Sequence, residues 1–84
     1  MYYVYVLKSK KDGDIYIGST NDLRSRLALH NEGKVRSTKP RAPFELRYYE
    51  AYFNEHDARK REMNLKKDGR AKAQLKSRIF KSLE

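Results

Sequence analysis

The stretch that decides the fold, residues 15–30, reads Ile-Tyr-Ile-Gly-Ser-Thr-Asn-Asp-Leu-Arg-Ser-Arg-Leu-Ala-Leu-His. The aromatic and β-branched residues up to Gly18 are typical of a short strand, and the polar residues that follow are typical of a turn. The leucine-rich remainder predicts a helix that carries Arg26 and His30 one turn apart. Such a segment is suited to place a phenol, a guanidinium and an imidazole around one phosphate.

The rest of the chain divides into short elements that can be predicted in the same way. Aromatic and β-branched runs predict strands over residues 2–8 and 44–53, and the Asp-Gly pair within residues 10–14 predicts a hairpin turn. The predicted helices cover residues 22–32, 55–68 and 70–83. The expected N-caps are Asn21 or Asp22, and Asn54, while Gly33 and Gly69 are expected at helix C-termini. The predicted fold is α+β, a small three-stranded antiparallel sheet flanked by helices in the order β-β-α-β-α-α.

Length and composition indicate a small globular protein. We expect residues 1–84 to form one domain, in which the core is small and any site is built partly from surface groups. The chain contains no cysteine, which excludes disulfides and thiolate metal sites. No segment resembles a signal peptide or a membrane span, so we expect a cytoplasmic protein with no membrane partner.

The charge of the chain is strongly one-sided. The formal net charge is +9, and residues 59–81 hold ten basic residues but only two acidic ones. A basic face of this kind is typical of a protein that binds a polyanion, and nucleic acid is the partner that it favours. The alternatives are a solvated helical surface that keeps the protein soluble, or a surface that meets a membrane or an acidic protein.

Helical angles separate inward polar residues from outward ones. At about 100° per residue, Arg26 and His30 lie on or beside the leucine stripe of their helix, whereas Asn31 points elsewhere. On the next helix Glu62 lies on the inward stripe. Two helices therefore each direct one inward charge, of opposite sign, and we expect both charges to meet the same sheet face.

The two strands of the hairpin contribute phenols. An even number of connecting residues would place Tyr5 and Tyr16 on one face, and Gly18 would then leave an open spot beside Tyr16 where a phosphate could approach the backbone. The structural alternative is that the tyrosines are ordinary sheet residues, that Arg26 and Glu62 form a salt bridge, and that His30 is a satisfied helix-end histidine.

These residue types match the requirements of phosphodiester hydrolysis. Arg26 is suited to donate to phosphate oxygens, and Glu62 to hold one hard divalent ion such as Mg²⁺ or Mn²⁺. A tyrosine or His30 is suited to take the proton from the attacking water, and a cation close to a phenol would lower its pKa. The carboxylates are too few for a two-metal nuclease.

The same residues carry a family resemblance. Tyr3-Val4-Tyr5, Tyr16-Ile17-Gly18, Arg26, His30 and Glu62 resemble the motifs of the GIY-YIG endonuclease superfamily. The chain is most similar to the small stand-alone bacterial members, which are themselves similar to the N-terminal nuclease domain of an excinuclease. The resemblance covers residues 2–67, and the basic helix over 70–83 follows this motif core. Two positions depart from the motif, since Tyr3 replaces its leading glycine and Val4 its isoleucine.

The resemblance implies a role for each matching residue. Tyr5 corresponds to the first tyrosine of the motif and Tyr16 to the second, and one of them, with His30, is expected to activate or orient the attacking water. Arg26 corresponds to the catalytic arginine of the family, and Glu62 to its metal-binding glutamate. The expected activity is that of a metal-dependent DNA endonuclease in DNA repair, recombination or processing.

No base-reading motif accompanies the basic surface, so we expect a structure-selective or weakly sequence-specific nuclease whose binding weakens with salt. Substrate choice would come from the basic surface, from a homodimer or from a partner protein. The alternative is a nucleic-acid-binding module of the same fold that cuts little or nothing. The candidate nucleic-acid-binding residues are Lys34, Arg36, Lys39, Arg41, Arg59, Lys66 and Lys67. The first four lie in a loop over residues 34–43 that is either a strand contact or a disordered connector.

Overall fold

The computed structural model describes residues 1–84, and its centre is a three-stranded antiparallel sheet. The strands are β1 (Tyr2–Ser9), β2 (Ile15–Thr20) and β3 (Phe44–Tyr52), arranged in the order β2-β1-β3. With three helices placed as predicted along the chain, the element order is β-β-α-β-α-α. The predicted α+β class and topology are confirmed, and β2 is left with one free edge.

The hairpin between β1 and β2 sets the register of the site. Lys8 pairs with Ile15, so six residues lie between the last paired positions, and this even number puts Tyr5 and Tyr16 on one face. Gly13 has φ of 74° in the turn, but Asp12 does not have a positive φ. A two-residue Asp-Gly turn is therefore not formed, and the wider connection over residues 10–14 brings the two tyrosine rings to 6.4 Å between centroids.

Each of the three helices begins at a side-chain cap. Helix α1 covers Leu23–Asn31, α2 covers Glu55–Lys67 and α3 covers Gly69–Arg78. The first backbone amides are bound by the side chains of Asp22, Asn54 and Asp68, respectively. These bonds satisfy donors that a helix start otherwise leaves unpaired. The predicted caps at Asp22 and Asn54 are confirmed.

The C-terminal segment differs from its prediction. Gly69 begins α3 instead of ending α2, because the extended backbone of Asp68 separates the two helices and its carboxylate caps the second one. The predicted helix over 70–83 ends at Arg78, and a short 3₁₀ turn follows over Phe80–Leu83. Ile79 and Leu83 nevertheless pack against the core.

The sheet separates two small cores because side chains alternate along each strand. Val4, Val6 and Ile17 pack against Ala58 of α2 and other apolar residues of α2 and α3 on one face. On the other face, a core around Tyr5 packs against leucines of α1. The expectation that α1 and α2 direct their inward charges to the same sheet face is therefore wrong. None of the helices has the length and apolar character needed to cross a bilayer.

Candidate active site

Tyr5 lies at the centre of the α1 face, opposite Gly18 on β2. Its side chain is almost fully buried, and its phenol lies over Gly18, where a Cβ would overlap the ring and its hydroxyl. The open spot that the sequence predicted at Gly18 is thus filled by the Tyr5 phenol and is not free for a phosphate. The glycine is required by the close approach of Tyr5, not by its own backbone angles.

A hydrogen-bonded chain of side chains extends from Tyr5 into the interior. The Tyr5 hydroxyl lies 3.0 Å from Nε2 of His30, and Nδ1 of His30 lies 2.7 Å from Oγ1 of Thr38. The Thr38 hydroxyl also lies 3.4 Å from the carbonyl of Val35, and on this contact we assign the proton of His30 to Nδ1, with Nε2 accepting from Tyr5. His30 and Thr38 have no exposed surface, so His30 reaches a substrate only through Tyr5.

Burial decides the protonation of this chain. It raises the pKa of Tyr5, and the Arg26 guanidinium, which acts in the opposite direction, does not overcome it. Burial also lowers the pKa of His30, and the charge of Arg26 adds to that effect. Tyr5 and His30 are therefore both neutral near pH 7: the nearby cation lowers the pKa of the Tyr5 phenol as expected, but burial outweighs it.

Arg26 lies beside Tyr5 at the edge of the α1 core, and it is half-buried. Its Nε is buried and has no hydrogen-bond partner. The alternative of a structural Arg26–Glu62 salt bridge is excluded, because the ion pair of Glu62 is formed with Lys66. A partly buried guanidinium without a carboxylate is costly unless an anion completes it.

Glu62 lies on the other side of the sheet, at the free edge of β2. Its Oε1 accepts a hydrogen bond of 2.6 Å from the Ser19 hydroxyl, and its Oε2 lies 2.9 Å from Nζ of Lys66. Burial raises the pKa of Glu62, but these two contacts outweigh it and hold the pKa below its usual value. Glu62 is therefore ionised at neutral pH and is held in place by β2.

Lys66 connects the two faces around the edge of β2. Its Nζ lies 5.4 Å from the centroid of the Tyr16 ring, while it also pairs with Glu62. The Tyr16 ring in turn packs edge-on against His30, with 5.2 Å between centroids. The predicted site residues thus come together across a strand edge, with Tyr5, Tyr16, Arg26 and His30 on one face and Glu62 on the other.

The residues at this edge could bind a metal ion only weakly. No group of three or more carboxylate or histidine ligands exists in the structure, and Glu62 is the carboxylate beside the site. Mg²⁺ is commonly bound by one or two carboxylates, with waters and substrate phosphate completing its shell. Glu62 fits that requirement, provided that Lys66 leaves its Oε2 oxygen.

The predicted nucleic-acid-binding residues fall into two groups. Arg59, Lys66 and Lys67 line a crevice of about 400 Å³ beside Glu62 and are thus part of the site. In the loop, Lys34 pairs with Glu32, and Arg36 and Lys39 are exposed.

Arg41 does not present a free charge. It forms an ion pair of 2.7 Å with Asp12, donates to the carbonyl of Ile15 and lies over the Phe44 ring. The Arg41 hydrogen bond lowers the pKa of Asp12 to about 2, so Asp12 is ionised at neutral pH. Arg41 therefore ties the hairpin to the loop, which contains a 3₁₀ turn over Lys39–Arg41.

Three residues with structural roles at the site were missed from the sequence. Thr38 binds His30, Ser19 binds Glu62, and the Asn31 side chain bonds both backbone groups of Phe44, at 2.6 Å and 3.1 Å. Ser19 follows Gly18 on the strand and alternates to the α2 face, so the period of two could have found it. Thr38 and Asn31 act through the loop, whose path no periodicity describes.

A small α+β domain with a phenol, a guanidinium and a carboxylate gathered at one sheet edge agrees with the expected GIY-YIG arrangement. The chain belongs to the GIY-YIG family, since the family model described as the GIY-YIG catalytic domain matches residues 1–76. The match includes Tyr5, Tyr16, Arg26, His30 and Glu62. Membership of a nuclease family implies that the substrate is nucleic acid.

The chain is also similar to several bacterial UPF0213 proteins. A UPF0213 protein of Bacillus pumilus is 43% identical over 75 residues, which is 88% of this chain and 76% of the relative. UPF0213 proteins of Clostridium perfringens and Streptococcus pneumoniae are 43% and 42% identical, over 80% and 81% of this chain and 72% and 69% of the relatives. No solved structure matches the chain.

Proposed function

We propose that the protein is a metal-dependent DNA endonuclease that hydrolyses phosphodiester bonds with weak sequence preference or with selectivity for substrate shape. The observation that supports it best is Arg26, whose half-buried guanidinium has a buried Nε with no partner and no carboxylate to pair with. Because that Nε is buried, a phosphate would bind the part of the half-buried guanidinium that stays exposed. Guanidinium groups bind phosphate through paired N–H donors and stabilise the charge that grows on phosphorus oxygens in the transition state.

The neutral Tyr5–His30 pair supplies a path for the proton. As the water oxygen bonds to phosphorus, the water proton passes to the Tyr5 oxygen, and the Tyr5 proton passes to Nε2 of His30, 3.0 Å away. The bond from phosphorus to the leaving oxygen then breaks, and the leaving oxygen keeps the bonding electron pair and takes a proton from solvent water. Thr38 holds His30 in the tautomer that can accept this proton. His30 therefore has a positioning and proton-storing role behind Tyr5.

The remaining groups act at the outer side of the site. A Mg²⁺ or Mn²⁺ ion held by Glu62 would supply positive charge at the phosphate and the leaving oxygen. Tyr16 is the more exposed of the two tyrosines and is suited to orient the water or the phosphate. Arg59, Lys66 and Lys67 would hold the substrate backbone in the crevice beside Glu62.

The test is a cleavage assay on linear, branched and flapped DNA and on RNA, with Mg²⁺, Mn²⁺ or EDTA. Arg26→Ala and Glu62→Gln should each abolish metal-dependent cleavage while thermal unfolding stays close to that of the parent. Arg24→Ala and Glu32→Gln are matched controls, because they change the same kinds of charge at exposed positions. Unchanged cleavage by Arg26→Ala or Glu62→Gln would contradict the proposal.

One observation favours a second function, that of a nucleic-acid-binding module with little or no cleavage. Lys66 occupies the Oε2 side of Glu62, which is where a metal ion would have to bind. A module of that kind would bind DNA with a steep salt dependence and release no metal-dependent product. In either case a homodimer or a partner protein could direct the domain to its substrate, and a role in DNA repair, recombination or processing belongs to the same proposal.

A further inference from the structure

The α1 face of the sheet is covered over only part of its length. Helix α1 packs on the core around Tyr5, Leu7 and Leu46, and it leaves the end of the sheet at Tyr3 and Tyr49 open. Tyr49 is 52% exposed, a large fraction for an aromatic residue in a strand. Neither tyrosine takes part in the proposed proton path.

The two rings form an ordered pair next to the candidate site. Their centroids lie 5.7 Å apart with planes at 71°, so one ring packs edge-on against the face of the other. Tyr49 is the direct cross-strand partner of Tyr5 on the same face. Tyr3 is two residues from Tyr5 along β1, a step of about 7 Å. The open pair therefore continues the surface that holds Tyr5 and Arg26.

The surroundings of the pair favour a flat, uncharged ligand group. Tyr3 pairs with Ala51 of β3 and with Thr20 of β2, both uncharged. The intervening Glu50 faces the other side, where Arg61 and two tyrosine hydroxyls bind it. Nucleobases present π-faces that stack on aromatic side chains irrespective of sequence. The domain carries a net charge of +9, which suits the phosphates that accompany such bases.

The size of the surface argues against a second copy of the chain. Two tyrosines bury at most about 150–250 Å² each. A stable protein interface needs roughly 800 Å² per partner. A single stacked base, in contrast, needs no more than one or two rings.

We propose that Tyr3 and Tyr49 form a stacking site for an unpaired nucleobase next to the phosphate bound at Arg26. This inference rests on the proposed function, because it takes the substrate phosphate to lie at Arg26. A base can stack there only when it is not paired in a duplex. The pair would therefore select single-stranded segments, flaps or frayed ends over continuous duplex.

The test measures binding without cleavage, by fluorescence anisotropy of labelled oligothymidylate and of a duplex of matched length, both in EDTA. Tyr49→Thr removes the ring but keeps a residue that favours strands. It should weaken oligothymidylate binding by about 5- to 150-fold, the equivalent of one lost stack. Duplex binding should not change. Tyr49→Trp should restore single-strand binding, and Phe80→Ala, which removes another exposed aromatic, should leave both affinities unchanged.

Each other outcome overturns the inference. Equal loss on both ligands would assign Tyr49 to general backbone contact, and no loss would leave the pair without a ligand. Dissociation of a dimer by Tyr49→Thr in sedimentation, with single-strand binding intact, would assign the surface to self-association. The proposed function fails separately: Tyr49-dependent binding by a parent protein that never cleaves DNA would contradict the nuclease and leave the stacking site standing.

Discussion

Gly18 and Tyr5 face each other across the β1–β2 pair, and the phenol of Tyr5 occupies the space that a Cβ at residue 18 would need. This relationship places the Tyr5 hydroxyl within 3.0 Å of His30. The glycine of the Tyr-Ile-Gly motif is thus explained by a side-chain contact. Its φ is not positive, so the backbone alone would accept any residue.

Gly18→Ala should therefore damage both stability and the site. The added methyl group collides with the nearly fully buried Tyr5 ring, which has little room to move, and overpacking of this kind costs about 1–3 kcal/mol. Cleavage should fall sharply because Tyr5 loses its alignment with His30. Urea unfolding and a cleavage assay measure the two effects.

Gly69→Ala is the matched control for this substitution. A Cβ at Gly69 meets no atom within 4 Å, and this residue begins a helix. Its stability should be unchanged or slightly higher, since alanine loses less backbone entropy in a helix than glycine does. A Gly18→Ala protein as stable and active as the Gly69→Ala protein would show that Tyr5 can leave its position freely.

Thr38→Val should impair catalysis more than folding. Valine keeps the shape of the side chain but cannot accept from Nδ1 of His30, so the imidazole loses its fixed tautomer. Because general acid–base groups contribute about 10²–10⁴-fold, we expect kcat to fall by about 10- to 100-fold and KM to stay unchanged. Thr38→Ser should restore the rate.

The tautomer itself provides a readout that a purely structural role would not move. Nitrogen-15 spectra of the parent should show His30 neutral and protonated at Nδ1 at pH 7, and Thr38→Val should show a mixture of tautomers. The acid limb of the pH–rate profile should also shift in Thr38→Val and not in Thr38→Ser. Identical spectra and profiles in all three proteins would remove Thr38 from the mechanism.

The fold followed from the sequence where a local pattern decides it. Strand β1 could be predicted from its alternating aromatic residues, and the N-caps at Asp22 and Asn54 from side chains that bind the first amides. Gly69 misled the prediction because a glycine can also begin a helix when an aspartate precedes it as the cap. The predicted length of α3 is wrong because the apolar residues continue into a 3₁₀ turn, which keeps Ile79 and Leu83 on the core.

The site was only partly predictable for a geometrical reason. Helical angles place Arg26 and Glu62 toward a sheet, but they do not say which side of the sheet each helix covers. The structure puts α1 and α2 on opposite faces, and Lys66 joins the two halves around the edge of β2. No residue spacing in the sequence contains that information, which depends on the path of the loops.

Glu50 should make the stability of the domain depend on pH. Its carboxylate accepts from the Tyr48 hydroxyl, from Tyr52 and from both arms of Arg61. Burial raises the pKa of Glu50, but Arg61 and the two hydroxyls outweigh it and hold the pKa below its usual value. Burial, and after it the hydrogen bond to Glu50, raises the pKa of Tyr48 and of Tyr52 to about 12.

A carboxyl with a lowered pKa binds fewer protons in the folded state than in the unfolded state. Its stabilisation is therefore complete above the usual pKa of about 4.3 and is lost as the pH falls through the lower folded value. Glu50→Gln should reduce the free energy of unfolding at pH 7 by about 1–3 kcal/mol and flatten its fall below pH ~4.

Urea unfolding from pH 7 to pH 3 checks this prediction. Glu55→Gln serves as the control, because the Glu55–Arg59 pair is exposed and such pairs contribute about 0–1 kcal/mol. An acid-induced loss of stability that is as steep in Glu50→Gln as in the parent would show that other carboxylates dominate it.

Lys66→Met should make the site easier to load with metal. The Lys66 ammonium lies 2.9 Å from Oε2 of Glu62, so a divalent ion that binds this oxygen must displace it. The pair is partly exposed and is worth up to about 1 kcal/mol, which corresponds to a change in metal affinity of up to about fivefold. The Mg²⁺ concentration that gives half-maximal cleavage should fall accordingly, and Mn²⁺ binding measured by calorimetry without DNA should tighten.

The same substitution separates two roles of Lys66. If the ammonium also holds substrate phosphate, the affinity for DNA in EDTA should weaken and its salt dependence should become less steep. Lys67→Met is the control, since Lys67 lines the same crevice but does not pair with Glu62. It should weaken DNA binding by a similar amount without changing the Mg²⁺ requirement. A Mg²⁺ requirement that is unchanged in Lys66→Met would mean that the ion does not bind at Oε2 of Glu62, and the metal ligand would then have to be sought elsewhere on the domain.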